Sequence, residues 1–146
     1  MVVFTILTTT MKTNISLSLL LVCALTSLVW ANNAIETLPS GVKVEHLKLG
    51  TGASPTAADT VVAHYRGTLT DGKEFDSSYK RGEPIAFPLS RVIPCWTQGL
   101  QKIKVGGKAR LTCPSDTAYG PEGSRGVIPP NAVLQFEVEL VAIKGR

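Results

Sequence analysis

Residues 94–113 read PCWTQGLQKIKVGGKARLTC, and the hydrophobic period changes inside that stretch. Pro94 suits the first position of a helix, where an N–H has no intrahelical partner to lose. Trp96, Leu100 and Ile103 then fall on one helical face. Val105-Gly106-Gly107 predicts the end of that helix. Lys108, Arg110 and Thr112 next alternate with Ala109, Leu111 and Cys113, the two-residue period of a strand buried on one side. One short helix running straight into a half-buried strand calls for a sheet that covers the helix's apolar face.

The flanks supply the other strands. Upstream, Val42-Lys43-Val44-Glu45 alternates, with Leu47 and Leu49 continuing towards Gly50, and residues 50–55 demand a turn. A stronger strand spans Asp59 to Leu69, rich in β-branched and aromatic residues. Asp71-Gly72 is a hairpin signal, because glycine accepts the positive φ such a turn requires. Phe75 resumes the chain; 77–84 reads as irregular. Ile85, Phe87 and Leu89 share one face of an extended segment that Pro88 confines to a sheet edge. Downstream, Pro114 to Pro130 is a long glycine- and proline-rich loop carrying Tyr119, Val127 and Ile128. Leu134, Phe136, Val138 and Leu140 share parity in a closing strand, 133–143. The order fits an α+β domain in which an antiparallel sheet covers one short helix.

The 146 residues suit one domain once a targeting segment is set aside; 44% are apolar and 18% charged, enough for a core. From Met11, a cation at Lys12, the apolar run Ile15 to Leu25 and compact Val29-Trp30-Ala31 follow the order of a cleavable export signal. The alternative is an uncleaved membrane anchor, which Asn14 and several Ser and Thr residues weaken. The division expected is 1–31 signal and upstream residues, 32–40 a short leader, and 41–146 the folded domain, located in the bacterial periplasm. The net charge of +4 falls to +3 without Lys12 and is scattered, which argues against nucleic acid as a partner. Cys95 and Cys113 are the cysteines left beyond the signal. Export favours a disulfide between them, with two buried free thiols as the alternative.

Common reactive arrangements are missing from the sequence. His46 and His64 lack metal-ligand spacing, and neither a GxSxG elbow nor a P-loop occurs, so neither metal nor cofactor is expected. Asp71, Glu74 and Asp76 are accounted for by a turn and by solvation better than by hydrolytic chemistry. The aromatic placement says more. Tyr65, Phe75, Phe87, Trp96, Tyr119 and Phe136 come from different elements that can meet on one side of the sheet. Most such rings serve a core, yet Tyr119 and Val127-Ile128 lie in a loop, where a binding duty fits better.

The motifs together resemble the FKBP family of peptidyl-prolyl isomerases. The stretches that carry the resemblance are VVAHYRG (61–67), DGKEFDSS (71–78), VIPCW (92–96), AYG (118–120) and IPPNA (128–132), within a match from about Gly41 to Ile143. The second half is similar to bacterial exported members. The resemblance implies a strongly curved antiparallel sheet wrapped around one short helix, and isomerisation of Xaa-Pro bonds in proline-containing peptides and unfolded protein segments during protein folding. It carries site roles onto Tyr65, Phe75, Asp76, Val92, Ile93, Trp96, Tyr119, Val127, Ile128 and Phe136, with Phe87 and Ile85 completing the wall. Among these, Trp96, Tyr119 and Asp76 are the catalytic candidates: Trp96 as pocket floor, Tyr119 as hydrogen-bond donor, Asp76 as an orienting group paired with Arg81. Ile85 stands where many members carry phenylalanine, Ser124 replaces a ring, and Arg91 stands where an acidic residue is common. Those departures leave binding of the family's macrolide inhibitors open and make a non-catalytic proline-peptide binding or chaperone module the alternative. A monomer is expected, since no long helical segment precedes Gly41.

Overall fold

The computed structural model describes residues 34–145. The export-signal reading, on residues 1–31, lies outside them. Seven antiparallel strands form one sheet: β1 (Ile35–Thr37), β2 (Lys43–Lys48), β3 (Thr60–Leu69), β4 (Glu74–Ser77), β5 (Ile85–Pro88), β6 (Lys108–Cys113) and β7 (Leu134–Ile143). Helix α1 spans Pro94–Leu100. β1 arises within the segment expected as a leader and pairs with β2, Ile35 opposite Glu45.

Strand order along the sheet is β1-β2-β6-β7-β3-β4. One edge of β3 pairs with β7; the other is divided, β4 taking Arg66 to Thr68 and β5 taking Thr60 to Ala63. Alternation sets which side chains turn inward. Ala109, Leu111 and Cys113 of β6 and Leu134, Phe136, Val138 and Leu140 of β7 are buried, as are Val44, Val61 and Ala63. In β7, Val141 is an extra residue opposite the Val62–Ala63 step, a bulge that returns Ile143 to the core side.

The expected strongly curved sheet wrapped around the helix is not what forms. The sheet is open, with no pairing between β1 and β4, and it does not curl around α1. The helix itself supplies the reason. Seven residues reach only about 10 Å, so α1 covers a part of one face, packing Gly99 against Leu111 of β6. Leu38, Leu89, Ile103 and Ile128, from the connecting segments, are buried in the same core and complete it.

The helix also stops earlier than the sequence pattern predicts. Lys102 and Ile103 donate to the carbonyls of Gly99 and Leu100, a tightened last turn. Beyond it other segments take the backbone: Gly106 N–H donates to Leu140 O of β7 and Leu140 N–H to Gly107 O, while Val105 N–H donates to Ala53 O in the connection between β2 and β3. Cys95, at the start of α1, and Cys113, at the end of β6, are joined by a disulfide with Cα atoms 5.6 Å apart.

Candidate functional site

The hairpin between β3 and β4 makes the first wall. Gly72 turns the chain at φ 88°, and the Asp71 carboxylate accepts from Lys73 N–H at 2.9 Å. In the ladder beyond it, Gly67 faces Asp76 and Thr68 faces Glu74, so Phe75 is an extra residue in β4. A regular strand would send Phe75 and Asp76 to opposite faces. The bulge lets both line the same cavity.

That cavity has a volume of about 520 Å³. Around it stand Tyr65 of β3, Phe75 and Asp76 of β4, Ile85 and Phe87 of β5, Val92 and Ile93 ahead of the helix, and Trp96 of α1. Tyr119, Val127 and Ile128 of the long loop and Phe136 of β7 complete the wall. Every site residue expected from the sequence is therefore at one cavity. Arg91 and Ser124, visible in the sequence only as departures from a family pattern, line it as well.

Trp96 is buried at the centre of the aromatic group. Its ring lies 5.0 Å from Tyr65, 4.9 Å from Phe87 and 5.1 Å from Phe136, centroid to centroid, with Tyr65 and Phe136 edge-on. These are favourable quadrupolar arrangements that fix the indole plane. Its Nε1 is buried without a hydrogen-bond partner among the described residues, so packing holds the ring. Phe75 meets Phe136 edge-on at 5.5 Å. Gly67 makes this contact feasible, because a Cβ there would come within 2.6 Å of the Phe75 ring and 2.8 Å of the Phe136 ring. No sequence signal marked Gly67 as a site residue; only the paired strands bring the two rings over it.

The polar side of the cavity is a closed triad. Tyr65 Oη donates to Asp76 Oδ2 at 2.6 Å, Arg81 Nη1 donates to Asp76 Oδ1 at 2.8 Å, and Arg81 Nη2 donates to Tyr65 Oη at 2.7 Å. Partial burial pushes the Asp76 carboxyl upward, but the bonds from Tyr65 and Arg81 and the guanidinium charge outweigh it and hold the group below its ordinary value. Burial and the Asp76 bond raise the Tyr65 hydroxyl. Asp76 is therefore an ionised acceptor with both oxygens engaged, poorly suited to proton transfer and well suited to fixing Tyr65.

Two donors remain uncommitted. The Tyr119 hydroxyl makes no hydrogen bond among the described residues and its side chain is exposed. The Ile93 N–H, at the residue preceding α1, is likewise unused, while Ile93 O accepts from Trp96 and Thr97. An apolar cavity with an aromatic floor and two free donors at its border can hold a small ring and grip a neighbouring carbonyl; it has no nucleophile aligned with a base.

Known proteins carry the same pattern. A family profile described as FKBP-type peptidyl-prolyl cis-trans isomerase matches residues 52–141. The FKBP-type peptidyl-prolyl cis-trans isomerase FkpA of Aeromonas hydrophila is 54% identical over 110 residues, 75% of this chain and 41% of that protein. The chain thus spans about two-fifths of the length of that relative. FK506-binding protein 1 of Candida glabrata is 48% identical over 111 residues, which cover 74% of this chain and 97% of the yeast protein. The crystal structure of FkpA from Escherichia coli superposes with a TM-score of 0.72 at 51% identity, covering 75% of this chain and 51% of that one. With the profile spanning most of the described strands, and a relative matched over nearly its full length, the chain belongs to the FKBP-type peptidyl-prolyl cis-trans isomerase family.

Proposed function

We propose that this protein catalyses cis/trans isomerisation of Xaa-Pro bonds in peptides and unfolded protein segments, assisting their folding. The observation that carries the reading is the cavity floored by Trp96, apolar on most sides and roomy enough for a proline ring with its flanking backbone. Tyr65, Phe75, Val92, Ile93 and Phe136 surround the ring. Amide resonance holds the Xaa-Pro bond planar, and its spontaneous rotation takes tens to hundreds of seconds. The planar form carries more charge separation than the twisted one. Withdrawing the amide from water into an apolar pocket therefore favours the twisted geometry and lowers the barrier. Tyr119 Oη and Ile93 N–H donate to substrate carbonyls and anchor one side while the other turns. Asp76 acts through Tyr65, holding the wall of the pocket in place.

A protease-free assay tests this: a peptide with an apolar residue before proline relaxes faster in the presence of the folded protein. Relaxation at the background rate rejects the reading. A second reading, a module that binds proline peptides without turning them over, is favoured by Ile85 and Ser124 lining the cavity, where relatives are expected to present rings. NMR separates the two, since binding without faster exchange between cis and trans peaks supports the module.

Export to the bacterial periplasm is part of the proposal. It is supported by the Lys12, apolar-run and Val29-Trp30-Ala31 order and by the Cys95–Cys113 disulfide, which suits an oxidising compartment. Within that compartment the protein acts as a monomer, its clients being exposed proline-containing segments.

A further inference from the structure

Ser124, Val127 and Ile128 have a second face. They also line a neighbouring depression of about 350 Å³, shared with Leu69, Lys73, Glu122 and Arg125. The wall between the two spaces is braced by its own backbone. Ser124 N–H donates to Ile128 O and Ile128 N–H to Ser124 O, both at 2.9 Å, with Val127 N–H donating to Ser124 O at 3.1 Å. A peptide seated by its proline in the first cavity needs only a few extended residues, at about 3.3 Å each, to cross such a wall.

The charges along this route are of one dominant sign. In the first cavity Asp76 is already matched by Arg81, which leaves Arg91, exposed and without an ion pair among the described residues. In the second, Lys73 and Arg125 are exposed and equally unpaired, against the single carboxylate of Glu122. By contrast, Arg66, Lys80, Lys102, Lys108 and Arg110 are all matched by carboxylates elsewhere on the surface. Lys43, Lys48, Lys104 and Lys144 are also without an ion pair among the described residues but line neither depression; Arg91, Lys73 and Arg125 are the unpaired cations that border the two spaces sharing a wall.

We propose that the two depressions form one peptide track that selects Xaa-Pro segments bearing acidic side chains near the proline. Arg91 reads a carboxylate at the first cavity, and Lys73 and Arg125 read one beyond the shared wall. This selection rests on the isomerase reading above and deepens it by naming the class of segment preferred. Exposed ion pairs are individually weak and screened by salt, so the preference is modest and falls with ionic strength.

The test uses peptides of one length with a central apolar-Xaa-Pro pair flanked by Glu, Gln or Lys. At low salt, kcat/KM for the Glu peptide exceeds that for the Lys peptide by about fivefold, with the Gln peptide between, and the gap narrows at physiological salt. Arg125→Glu shrinks or inverts the order. Lys48→Glu makes the same charge change at a residue lining neither depression, and leaves the order intact. Equal values for the Glu and Lys peptides, with the Gln peptide still turned over, overturn the selection and leave the isomerase reading standing. A shift of the same size in Lys48→Glu assigns the preference to overall charge and also overturns the track. No turnover of any peptide sinks both.

Discussion

Gly67 lacks a side chain because two rings occupy the space that one would fill. Gly67→Ala should therefore destabilise the fold by about 1–3 kcal/mol, the usual range for overpacking, and raise KM by displacing Phe75 and Phe136. Gly67→Ala combined with Phe75→Leu recovers part of both losses, a coupling that thermal melts and peptide kinetics on the two single variants and the double variant would measure. Tyr119→Phe keeps the packing and removes one donor, so kcat/KM falls by about twofold to tenfold, as loss of a single hydrogen bond predicts; unchanged turnover would remove Tyr119 from the mechanism. Asp76→Asn lowers activity by loosening Tyr65. The sign of the pH effect follows from the depressed carboxyl: the stability it contributes is complete above the ordinary aspartate value of about 3.9 and is lost as pH falls through the lower folded value. Melting temperature of the native protein should accordingly drop more than that of Asp76→Asn over this acid window, and parallel curves would show that Asp76 contributes nothing. Tyr65, Phe75 and Trp96 could be singled out from the sequence because large rings in separate elements must share a core. Gly67 could not, since its role exists only once β3, β4 and β7 are side by side.

Among the elements, β6 and the Asp71-Gly72 hairpin were legible because each depends on neighbours in sequence: alternation in one, a turn residue in the other. The end of α1 was not, because Leu140 and Ala53, distant in sequence, claim the backbone groups of 105–107 that a longer helix would have used. The bulge at Phe75 was hidden for the same reason, being defined by a partner strand. Cys95 and Cys113 tie α1 to β6 across a sequence separation of 18. Loop-closure entropy predicts that replacing both by serine costs about 3 kcal/mol, with the peptide site retained when folded. Denaturant unfolding of the native and Ser/Ser proteins checks this, and equal midpoints with equal slopes would rule out a stabilising role.

At the scale of the whole molecule, the single helix and the longer strands could be read from periodicity, but β1, three residues inside the segment expected as a leader, and the openness of the sheet could not. Whether a sheet closes depends on whether its two outermost strands meet, and β1 and β4 do not. Export predicts that protein recovered from the bacterial envelope has an intact mass beginning near Asn32; a cytoplasmic product retaining residues 12–31 would contradict it. The disulfide has a further topological effect. With the backbone from 95 to 113 it closes a covalent ring, and Lys104 lies exposed within it. A protease that cuts once after Lys104 severs the polypeptide without releasing either piece: the nicked protein migrates as one band until a reductant is added, and then as two.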